Sequence, residues 1–458
     1  MSNKAAADEL RNRLRGKLIG PDDPSYDAAR MVYNRMIDRR PRLIVQCADV
    51  ADVMATVKFG LEHKLLIAVR GGGHNAAGLG VCDDGLVIDL SPMNYVRVDP
   101  KKKTVLVGGG ALWKDVDHAT HAFGLAVPSG IISTTGVAGL TLGGGLGYLT
   151  RRYGLTIDNL LAVEMVLADG RFVTASTKEH ADLFWAVRGG GGNFGVVTAF
   201  LFKAHPVDTV YGGPMMWPME DAAEIMRWYR SFIVKAPVNI SGFFAFHTVP
   251  SWSPFPEHLH RKKMCAIVWC YTGPMKRAEQ VFAPIRKLKT PSLDLVGPIP
   301  HPALQSMFDR LYPPGLQWYW KADFVRTLSD EAIALHLKYA LNMPTPESTM
   351  HLYPIDGAAS HVKKSATPWW HRDARWAEVI VGVDPSPSKV EEIIAWAKEY
   401  WSALHPHTLG GAYINFMMEE GKDRIRATYG KNYDRLAKVK KRYDPANVFR
   451  VNQNIGPS

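Results

Sequence analysis

The feature that most constrains this chain is a set of four glycine-rich segments within its first 200 residues. They read RGGGHN at 70–75, GGG at 108–110, TTGVAGLTLGGGLGYLTRRYG at 134–154 and RGGGGNFGVV at 188–197. Glycine loses more backbone entropy on folding than any other residue, so such runs need a compensating reason. Bare backbone N–H groups can cradle an anion. One such segment would be read as a loop, but four, each beside a strand pattern, favour one large anionic ligand.

These motifs do not match two common nucleotide-binding patterns. A Rossmann unit needs a strand, GxGxxG and then a helix, whereas GGGHNAAGLG at 71–80 is followed by a further strand pattern, GLVIDLS. The chain also contains no GxxxxGK[ST], so a P-loop nucleotide site is not supported.

Charge and composition argue against several other classes. The net charge is +11, but the basic residues are scattered, which is typical of a solvated surface and disfavours nucleic-acid binding. No apolar run approaches the roughly 20 residues of a membrane span. The N-terminal segment lacks the apolar core of a secretory signal, and the four cysteines show no CxxC or metal-ligand spacing. We therefore expect a cytoplasmic protein that binds neither metal, membrane nor nucleic acid; its oligomeric state is left open.

The chain changes character after His205-Pro206. Before this point it is rich in glycine and alternates strand and helix patterns; the segment 49–61, for example, has the apolar spacing of an amphipathic helix with Asp49 as its cap. After it, glycine becomes rarer, and 11 of the 13 tryptophans follow. A chain of 458 residues is also too long for one ordinary core. We predict two domains, the first completed by the C-terminal tail.

The order of the motifs resembles one flavoprotein superfamily. RGGGHN followed by VIDLS, then PSGIISTTGVAGLTLGGGLGYLTRRYGLTIDNL and DLFWAVRGGGGNFGVVTAF, is similar to the FAD-binding domain of the vanillyl-alcohol-oxidase superfamily. The Tyr-x-Asn of GGAYINF and the ending YDPANVFRVNQNI resemble its berberine-bridge-enzyme-like branch, specifically the bacterial members. The resemblance covers essentially the whole chain, densely in the first domain and thinly in the middle.

The resemblance implies an α+β fold of the PCMH type with two domains. A discontinuous FAD-binding domain would comprise residues 1–205 and 406–458, and an α/β substrate domain built on an antiparallel sheet would comprise residues 206–405. It further implies FAD as the cofactor, bonded covalently through a ring nitrogen of His74 to the 8α-methyl carbon of the flavin. The other expected FAD contacts are Arg70, Gly71, Gly72, Gly73, Asn75, Gly78, Pro128, Gly130, Ser133, Thr134, Thr135, Gly136, Gly139, Gly143, Gly144, Gly147, Tyr153, Asn159, Gly195, Val196, Val197, Tyr413, Asn415, Asn452 and Asn454.

Two positions depart from, or refine, the family pattern. Many relatives carry a second covalent link through a cysteine, and Ile132 stands where that cysteine would be. A single link, to His74, is therefore expected. In the family, the residue at Thr135 helps decide whether oxygen reaches the reduced flavin, and threonine is close in shape to the valine that permits it. This favours an oxidase.

The resemblance also suggests catalytic residues. Oxidation of an alcohol carbon needs a base for the hydroxyl proton, and Tyr413 fills the tyrosine of the family's Tyr-x-Asn, with Asn415 as its partner. Because a free tyrosine has a pKa near 10, it would need a nearby cation, for which Lys321 is the candidate. The alternative is that AYINF is a core strand in which Tyr413 and Asn415 merely satisfy each other.

Other residues are weaker candidates. His351, His361 and His371 are conceivable bases, although a lone histidine is more often structural. The tryptophans of Trp318-Tyr319-Trp320 and Trp369-Trp370 indicate an aromatic cavity wall, and strand alternation would turn half of such side chains away from it.

The resemblance thus implies an FAD-dependent oxidase. It would transfer a hydride from a hydroxyl-bearing carbon of a small natural product, alcohol or sugar to flavin N5, with reoxidation by O2 to H2O2. Two alternatives stay open: a dehydrogenase that uses another electron acceptor, and a drug-binding resistance flavoprotein.

Overall fold

A four-stranded sheet organises the first 90 residues of the chain, which a computed structural model describes from residue 3 to residue 458. Its strand order is β1-β2-β4-β3, with β2, β4 and β3 parallel and β1 antiparallel. Helix α3 confirms the amphipathic helix predicted from the sequence, and the Asp49 carboxylate caps it by accepting a hydrogen bond from Asp52 N–H. The elements are α1 (Asn3–Arg11), β1 (Lys17–Ile19), α2 (Tyr26–Ala29), β2 (Leu43–Gln46), α3 (Val50–Glu62), β3 (Ile67–Arg70) and β4 (Leu86–Asp89).

A second, antiparallel sheet follows, with the strand order β5-β6-β10-β8-β9. The glycine-rich segment 134–154 lies in helices and turns between its strands. The elements are β5 (Val96–Asp99), β6 (Thr104–Gly108), α4 (Trp113–His121), β7 (Leu125–Ala126), α5 (Val137–Gly143), α6 (Thr150–Tyr153), β8 (Leu160–Val166), β9 (Phe172–Ser176), α7 (Ala181–Val187) and β10 (Val196–Lys203), with β11 (His205–Pro206) pairing β7.

An eight-stranded antiparallel sheet occupies the middle of the chain. Its order is β15-β12-β14-β13-β18-β19-β17, with β16 also pairing β12. The elements are β12 (Thr209–Pro218), α8 (Ala222–Lys235), β13 (Ile240–Thr248), β14 (Lys263–Tyr271), α9 (Ala278–Leu288), β15 (Leu293–Asp294), β16 (Gly297–Pro300), α10 (His301–Gln305), β17 (Gln317–Val325), α11 (Asp330–Leu341), β18 (Thr349–Pro354), β19 (Trp376–Asp384) and α12 (Val390–Leu404).

Strand alternation gives this sheet two different faces. On β13, for example, Phe244 and Phe246 pack into a core with the helices α8, α9, α11 and α12. Phe243 and Ala245, which alternate with them along the strand, belong to the core shared with the first 200 residues. We call these the helix face and the cavity face, because successive side chains of a strand point to opposite sides.

The C-terminal tail returns to the glycine-rich part of the chain. It contains α13 (Lys422–Tyr429) and α14 (Tyr433–Tyr443). The buried Lys440 ammonium on α14 donates a 2.7 Å hydrogen bond to the Asn193 carbonyl, and the Asn193 side-chain oxygen accepts a 2.9 Å bond from Ile455 N–H. The α+β prediction with an antiparallel middle sheet is confirmed, while the domain boundaries stay a prediction. No helix between residues 3 and 458 combines the length and the apolar character that crossing a bilayer requires.

Candidate active site

One cavity joins the glycine-rich segments to the cavity face of the eight-stranded sheet. Its volume is about 300 Å³, within the usual range of ligand pockets. One wall is formed by glycines of the segments at 70–75, 134–154 and 188–197, and the opposite wall by side chains of β17, β18 and β19. The glycines at 108–110 do not line it. A Cβ on Gly110 would lie 1.7 Å from the Leu90 carbonyl oxygen, so that segment serves backbone packing.

The RGGGHN loop presents unpaired backbone donors to this cavity. The N–H groups of Gly72, Gly73, His74 and Asn75 donate no hydrogen bond to any described residue. Gly73 has a φ of +65°, which turns the chain here. Successive N–H groups around such a turn form a concave anion site. Because unpaired backbone donors are costly when buried, this loop fits a phosphate-bearing ligand.

The glycines of the cavity wall fall into two groups. A Cβ on Gly72 would lie 2.5 Å from Gly136 Cα, so these two glycines allow two backbone segments to touch. A Cβ on Gly139 or Gly192 would meet nothing within 4 Å, although both residues line the cavity. The second group therefore leaves space that a ligand can fill.

His74 stands at the junction of the loop and the sheet. Its ring stacks on Tyr33 with centroids 3.7 Å apart, and its Nε2 lies 3.2 Å from the Thr134 hydroxyl. Burial lowers the pKa of His74 to about 3, so the imidazole is neutral at physiological pH. A neutral imidazole held by one ring nitrogen keeps the other available for a bond to a ligand.

Arg70 lines the cavity, but its charge is already paired. Its guanidinium donates a 2.8 Å hydrogen bond to the Asp89 carboxylate, which is 2 % exposed, and a 3.2 Å bond to the Met31 carbonyl. Arg70 therefore presents no unpaired positive charge to the cavity, and the bare N–H groups of the loop are the free donors beside it. Its contact with FAD stays a prediction.

The cavity face of the sheet supplies an aromatic and neutral wall. Trp318 and Trp320 on β17 line the cavity, while Tyr319 between them packs with the helix-face core. Val379 and Val381 on β19 complete the floor. The tryptophan wall indicated by the sequence is thus present on β17, with the alternation that a strand imposes. Trp369 and Trp370 are not among the lining residues; Trp369 packs against Phe324 and Tyr413 instead.

His351 and Tyr353 are the polar pair on β18. His351 Nδ1 lies 2.6 Å from Tyr353 Oη, and both residues line the cavity. Burial lowers the pKa of His351 to about 3 and raises the pKa of Tyr353 well above its ordinary value. The hydrogen bond of His351 to the rest of residues 3–458 is made by Nδ1 and leaves Nε2 without one. A neutral imidazole with a free nitrogen can exchange a proton with a molecule in the cavity. The other two histidines considered are placed differently: His361 is exposed, and His371 bonds the Ala427 carbonyl at 3.0 Å outside the cavity lining.

Tyr413 lines the cavity at the start of a short 3₁₀ turn, Ile414–Phe416. Its Oη accepts hydrogen bonds from Gly145 N–H at 3.1 Å and from the Asn415 amide at 2.7 Å. Burial raises its pKa above the ordinary tyrosine value, and these two bonds only partly offset that rise. A tyrosine with both acceptor positions occupied keeps its own proton to donate.

Lys321 is not placed to activate Tyr413. It follows Trp320 on β17, so alternation turns it to the helix face. There its ammonium pairs with Glu420 at 3.0 Å and lies 4.6 Å from the centre of the Trp401 ring. The structure thus corrects the expectation for Lys321: its ammonium lies on the face of the sheet opposite to Tyr413.

The structure brings fifteen of the predicted FAD contacts to one cavity, together with Ile132. Those that line it are Arg70, Gly71, Gly72, Gly73, His74, Asn75, Gly130, Ile132, Thr135, Gly136, Gly139, Gly195, Val197, Tyr413, Asn415 and Asn452. Asn452 Oδ1 is buried without a partner in the described chain and can receive a ligand donor. Asn454 Oδ1 is also unpaired, but Asn454 lies outside the lining.

The remaining predicted contacts lie outside the lining. Thr134 reaches it only through His74, and Ser133 is bound by its side chain and N–H to the Asp309 carboxylate. Asn159 lies 2.6 Å from His205 Nε2, and Tyr153 stacks on that histidine at 4.0 Å. Val196 alternates away from Val197 into another core. Backbone and packing contacts account for Gly78, Pro128, Gly143, Gly144 and Gly147.

Two residues that the sequence did not single out hold the walls together. The fully buried Asn34 amide donates to the carbonyls of Ala76 and Trp318, and its oxygen accepts from Trp318 N–H. It thereby ties the segment after His74 to β17. Tyr33, its neighbour, stacks on both His74 and Trp318. No sequence signal marked either residue, because their role depends on contacts nearly 300 positions apart.

Comparisons with known proteins agree with this geometry. A family model described as "FAD binding domain" matches residues 41–176, and one described as "Berberine and berberine like" matches residues 412–456. The chain is 31% identical to the uncharacterized FAD-linked oxidoreductase YgaK of Bacillus subtilis, over 98% of each chain. It is 30% identical to (R)-6-hydroxynicotine oxidase of Paenarthrobacter nicotinovorans, over 97% of each.

Solved structures share the fold. The crystal structure of 6-hydroxy-D-nicotine oxidase from Arthrobacter nicotinovorans superposes with a TM-score of 0.87 at 26% identity, covering 97% of this chain and 98% of that one. A chitooligosaccharide oxidase gives a TM-score of 0.83 at 22% identity, which speaks for the fold alone, over 99% of this chain and 100% of that one.

Proposed function

The chain belongs to the berberine and berberine-like family of FAD-linked oxidoreductases, and from that premise we propose that it is an oxidase acting on a hydroxyl-bearing carbon of a small uncharged molecule. The overall reaction is R₂CHOH + O2 → R₂C=O + H2O2. The chemistry that FAD supplies when bound is acceptance of a hydride and return of both electrons to O2. The chain's own residues bind, orient and exchange the hydroxyl proton.

The observation that carries the proposal is the continuity of the cavity. Bare N–H groups of the RGGGHN loop lie along one part of it, and neutral proton-exchanging groups on β18 and at Tyr413 lie along another. Among the described residues that line the cavity, Arg70 is the charged one, and Asp89 neutralises it. An uncharged substrate therefore avoids the cost of an unpaired buried charge.

The proton is assigned to two neutral groups. We assign its acceptance to His351 Nε2, in the tautomer whose Nδ1–H donates to Tyr353 Oη, because Nε2 makes no hydrogen bond to the described residues. Tyr413 keeps its proton and donates a hydrogen bond to the reacting oxygen, held in place by Asn415 and Gly145. This division replaces the tyrosinate base expected from the sequence, since no cation lowers the pKa of Tyr413.

We propose His74 as the single covalent tether of FAD. The neutral ring, its stacking on Tyr33 and its contact with Thr134 support this assignment. Ile132 lines the cavity at the position where a second tether would need a cysteine. A covalently tethered cofactor would stay attached to the polypeptide when the protein is denatured.

We further propose that O2 is the electron acceptor that reoxidises the reduced flavin. Thr135 lines the cavity with a valine-like shape, and the relative from Paenarthrobacter carries the name oxidase. The alternative is a dehydrogenase that uses another acceptor.

Acid precipitation tests the tether. The purified yellow protein is precipitated with trichloroacetic acid, and essentially all the flavin should stay in the pellet, whereas His74→Ala should release it to the supernatant. His205→Ala, at a half-buried histidine outside the cavity, serves as the matched control and should keep its flavin in the pellet. Release of flavin from the wild-type protein would contradict the covalent link.

Aerobic screening with peroxide detection tests the activity. Alcohols, phenolic alcohols and sugars are offered in turn, and at least one uncharged alcohol should yield H2O2 and a carbonyl product in equal amounts. A substrate that bleaches the flavin without its absorbance returning in air would indicate the dehydrogenase. A protein that holds no flavin would remove the proposal altogether.

A further inference from the structure

A smaller hollow adjoins the main cavity on the same face of the eight-stranded sheet. Its volume is about 40 Å³, and we call it the side pocket. Its floor is formed by Met216, Ala245 and Ala266, and Phe243 and Val268 flank them. Tyr312 and His351 line both the side pocket and the main cavity. Those two side chains therefore form the boundary between the two spaces.

Strand register shows that one row of residues floors both spaces. Across the sheet, Met216 pairs with Ala266, Ala266 with Ala245, Ala245 with His351, and His351 with Val379. The side pocket lies above the first four residues of this row, and the main cavity above the last two. The row is thus a continuous surface that runs from one space into the other.

The side pocket exists because two alanines face each other across β13 and β14. Alanine is depleted in strands, where β-branched and aromatic side chains normally fill the surface. Here the small side chains of the paired residues Ala245 and Ala266 leave a depression in the sheet surface, because the side chains around them are larger. Phe308, Leu311 and Phe255 close the space from above.

The chemistry of the side pocket is apolar and uncharged. None of its lining residues is a lysine, arginine, aspartate or glutamate. His247 is its polar residue besides Tyr312 and His351, and burial lowers its pKa to about 4. A charged group would have no partner here, whereas an alkyl group would gain by leaving water.

We infer that the side pocket is a subsite for a short apolar substituent of the substrate. The hydroxyl-bearing carbon lies in the main cavity, the substituent passes between Tyr312 and His351, and it rests on the Ala245–Ala266 pair. This inference rests on the proposed function and narrows its substrate class to uncharged alcohols with a short alkyl arm.

A binding series measures the subsite without turnover. Phenol and its 3-methyl, 3-ethyl and 3-propyl derivatives are titrated into the FAD-loaded protein, and the change in flavin absorbance reports binding. The hydroxyl-bearing carbon of a phenol carries no hydrogen, so the proposed reaction cannot consume these probes. We expect the affinity to rise about fourfold for each added methylene until the pocket is full.

Two variants change the side pocket in opposite directions. Ala266→Leu fills it and should abolish the gain from phenol to 3-propylphenol. Val268→Ala enlarges it and should carry the gain on to 3-butylphenol. Flavin content and melting temperature report whether each variant folds. If Ala266→Leu does not fold, the affinity of Val268→Ala for 3-butylphenol still tests the subsite.

The outcomes separate this inference from the proposed function. Equal chain-length gains in the wild type and both variants, or no binding of any phenol by a protein that contains flavin and oxidises alcohols, would overturn the subsite alone. Loss of flavin from the wild-type protein would overturn the proposed function instead.

Discussion

The two faces of the eight-stranded sheet differ in charge, although the residues that form them are neighbours in the sequence. On the cavity face, β17 presents Trp318 and Trp320, which are neutral and open to a ligand. On the helix face, the same strand presents Lys321 and Asp323, which are buried and charged. The difference shows that the charged side chains of β17 lie on the helix face, where other residues of the protein neutralise them. The cavity face, which lines the ligand site, carries neutral side chains.

The helix face holds an ion network around Asp323. Its carboxylate, with no exposed surface, accepts hydrogen bonds from the Arg424 guanidinium, from His405 Nδ1 at 2.8 Å and from the Thr408 hydroxyl at 3.0 Å. Arg424 also reaches Glu420, the partner of Lys321. The network thereby fastens β17 to the segment that leads into Tyr413.

The largest expected effect on the cavity face is that of His351→Gln. Glutamine keeps a polar side chain on β18 but cannot accept the proton at neutral pH. We expect kcat to fall by about 10²- to 10⁴-fold, the usual contribution of a general base, with little change in melting temperature. The measurement is steady-state peroxide release on the best alcohol found by screening.

The pH profile sharpens that experiment. Because burial lowers the pKa of His351 to about 3, the acceptor is unprotonated at every pH above about 4. The wild-type rate should therefore not fall between pH 8 and pH 5 through this group. A rate that climbs steadily towards pH 10 would instead identify Tyr413 as the base and contradict the assignment to His351.

The largest expected effect on the helix face is that of Asp323→Ala. Removing this carboxylate leaves the Arg424 guanidinium buried with less of its compensation, and a broken buried pair typically costs about 3–5 kcal/mol. The free energy of unfolding, measured by urea titration, should fall by that amount. Asp323→Asn, which keeps an acceptor oxygen, should cost less; equal losses would show that packing rather than charge dominates.

Much of the fold and part of the site could be predicted from the sequence. The order of glycine motifs identified the family and the α+β class, and both are confirmed. Helix α3 followed from its apolar spacing and Asp49 cap. The aromatic wall followed from the tryptophan pair, because residues two apart on a strand share a face.

What could not be predicted depends on which face or partner a residue meets. Val196 and Val197 are equivalent in the motif, yet only Val197 lines the cavity. The glycine motif indicates Arg70 but not its pairing with Asp89, nineteen positions away. Sequence spacing indicates residue types near the ligand, but the pairing of strands decides which of them reach it.

The smallest expected effect is that of Lys321→Met, and it tests the comparison of the faces directly. Methionine keeps the length of the side chain against Trp401, and Glu420 retains Arg424 as a partner. The loss is then close to that of one hydrogen bond to a charged group, about 1.5–3 kcal/mol in the free energy of unfolding. Since the ammonium lies behind the sheet, the pH profile of kcat should be that of the wild type. A shift of the kcat–pH profile in Lys321→Met would mean that the ammonium acts electrostatically on Tyr413 or His351 across β17. The two faces of the sheet would then not be electrostatically separate.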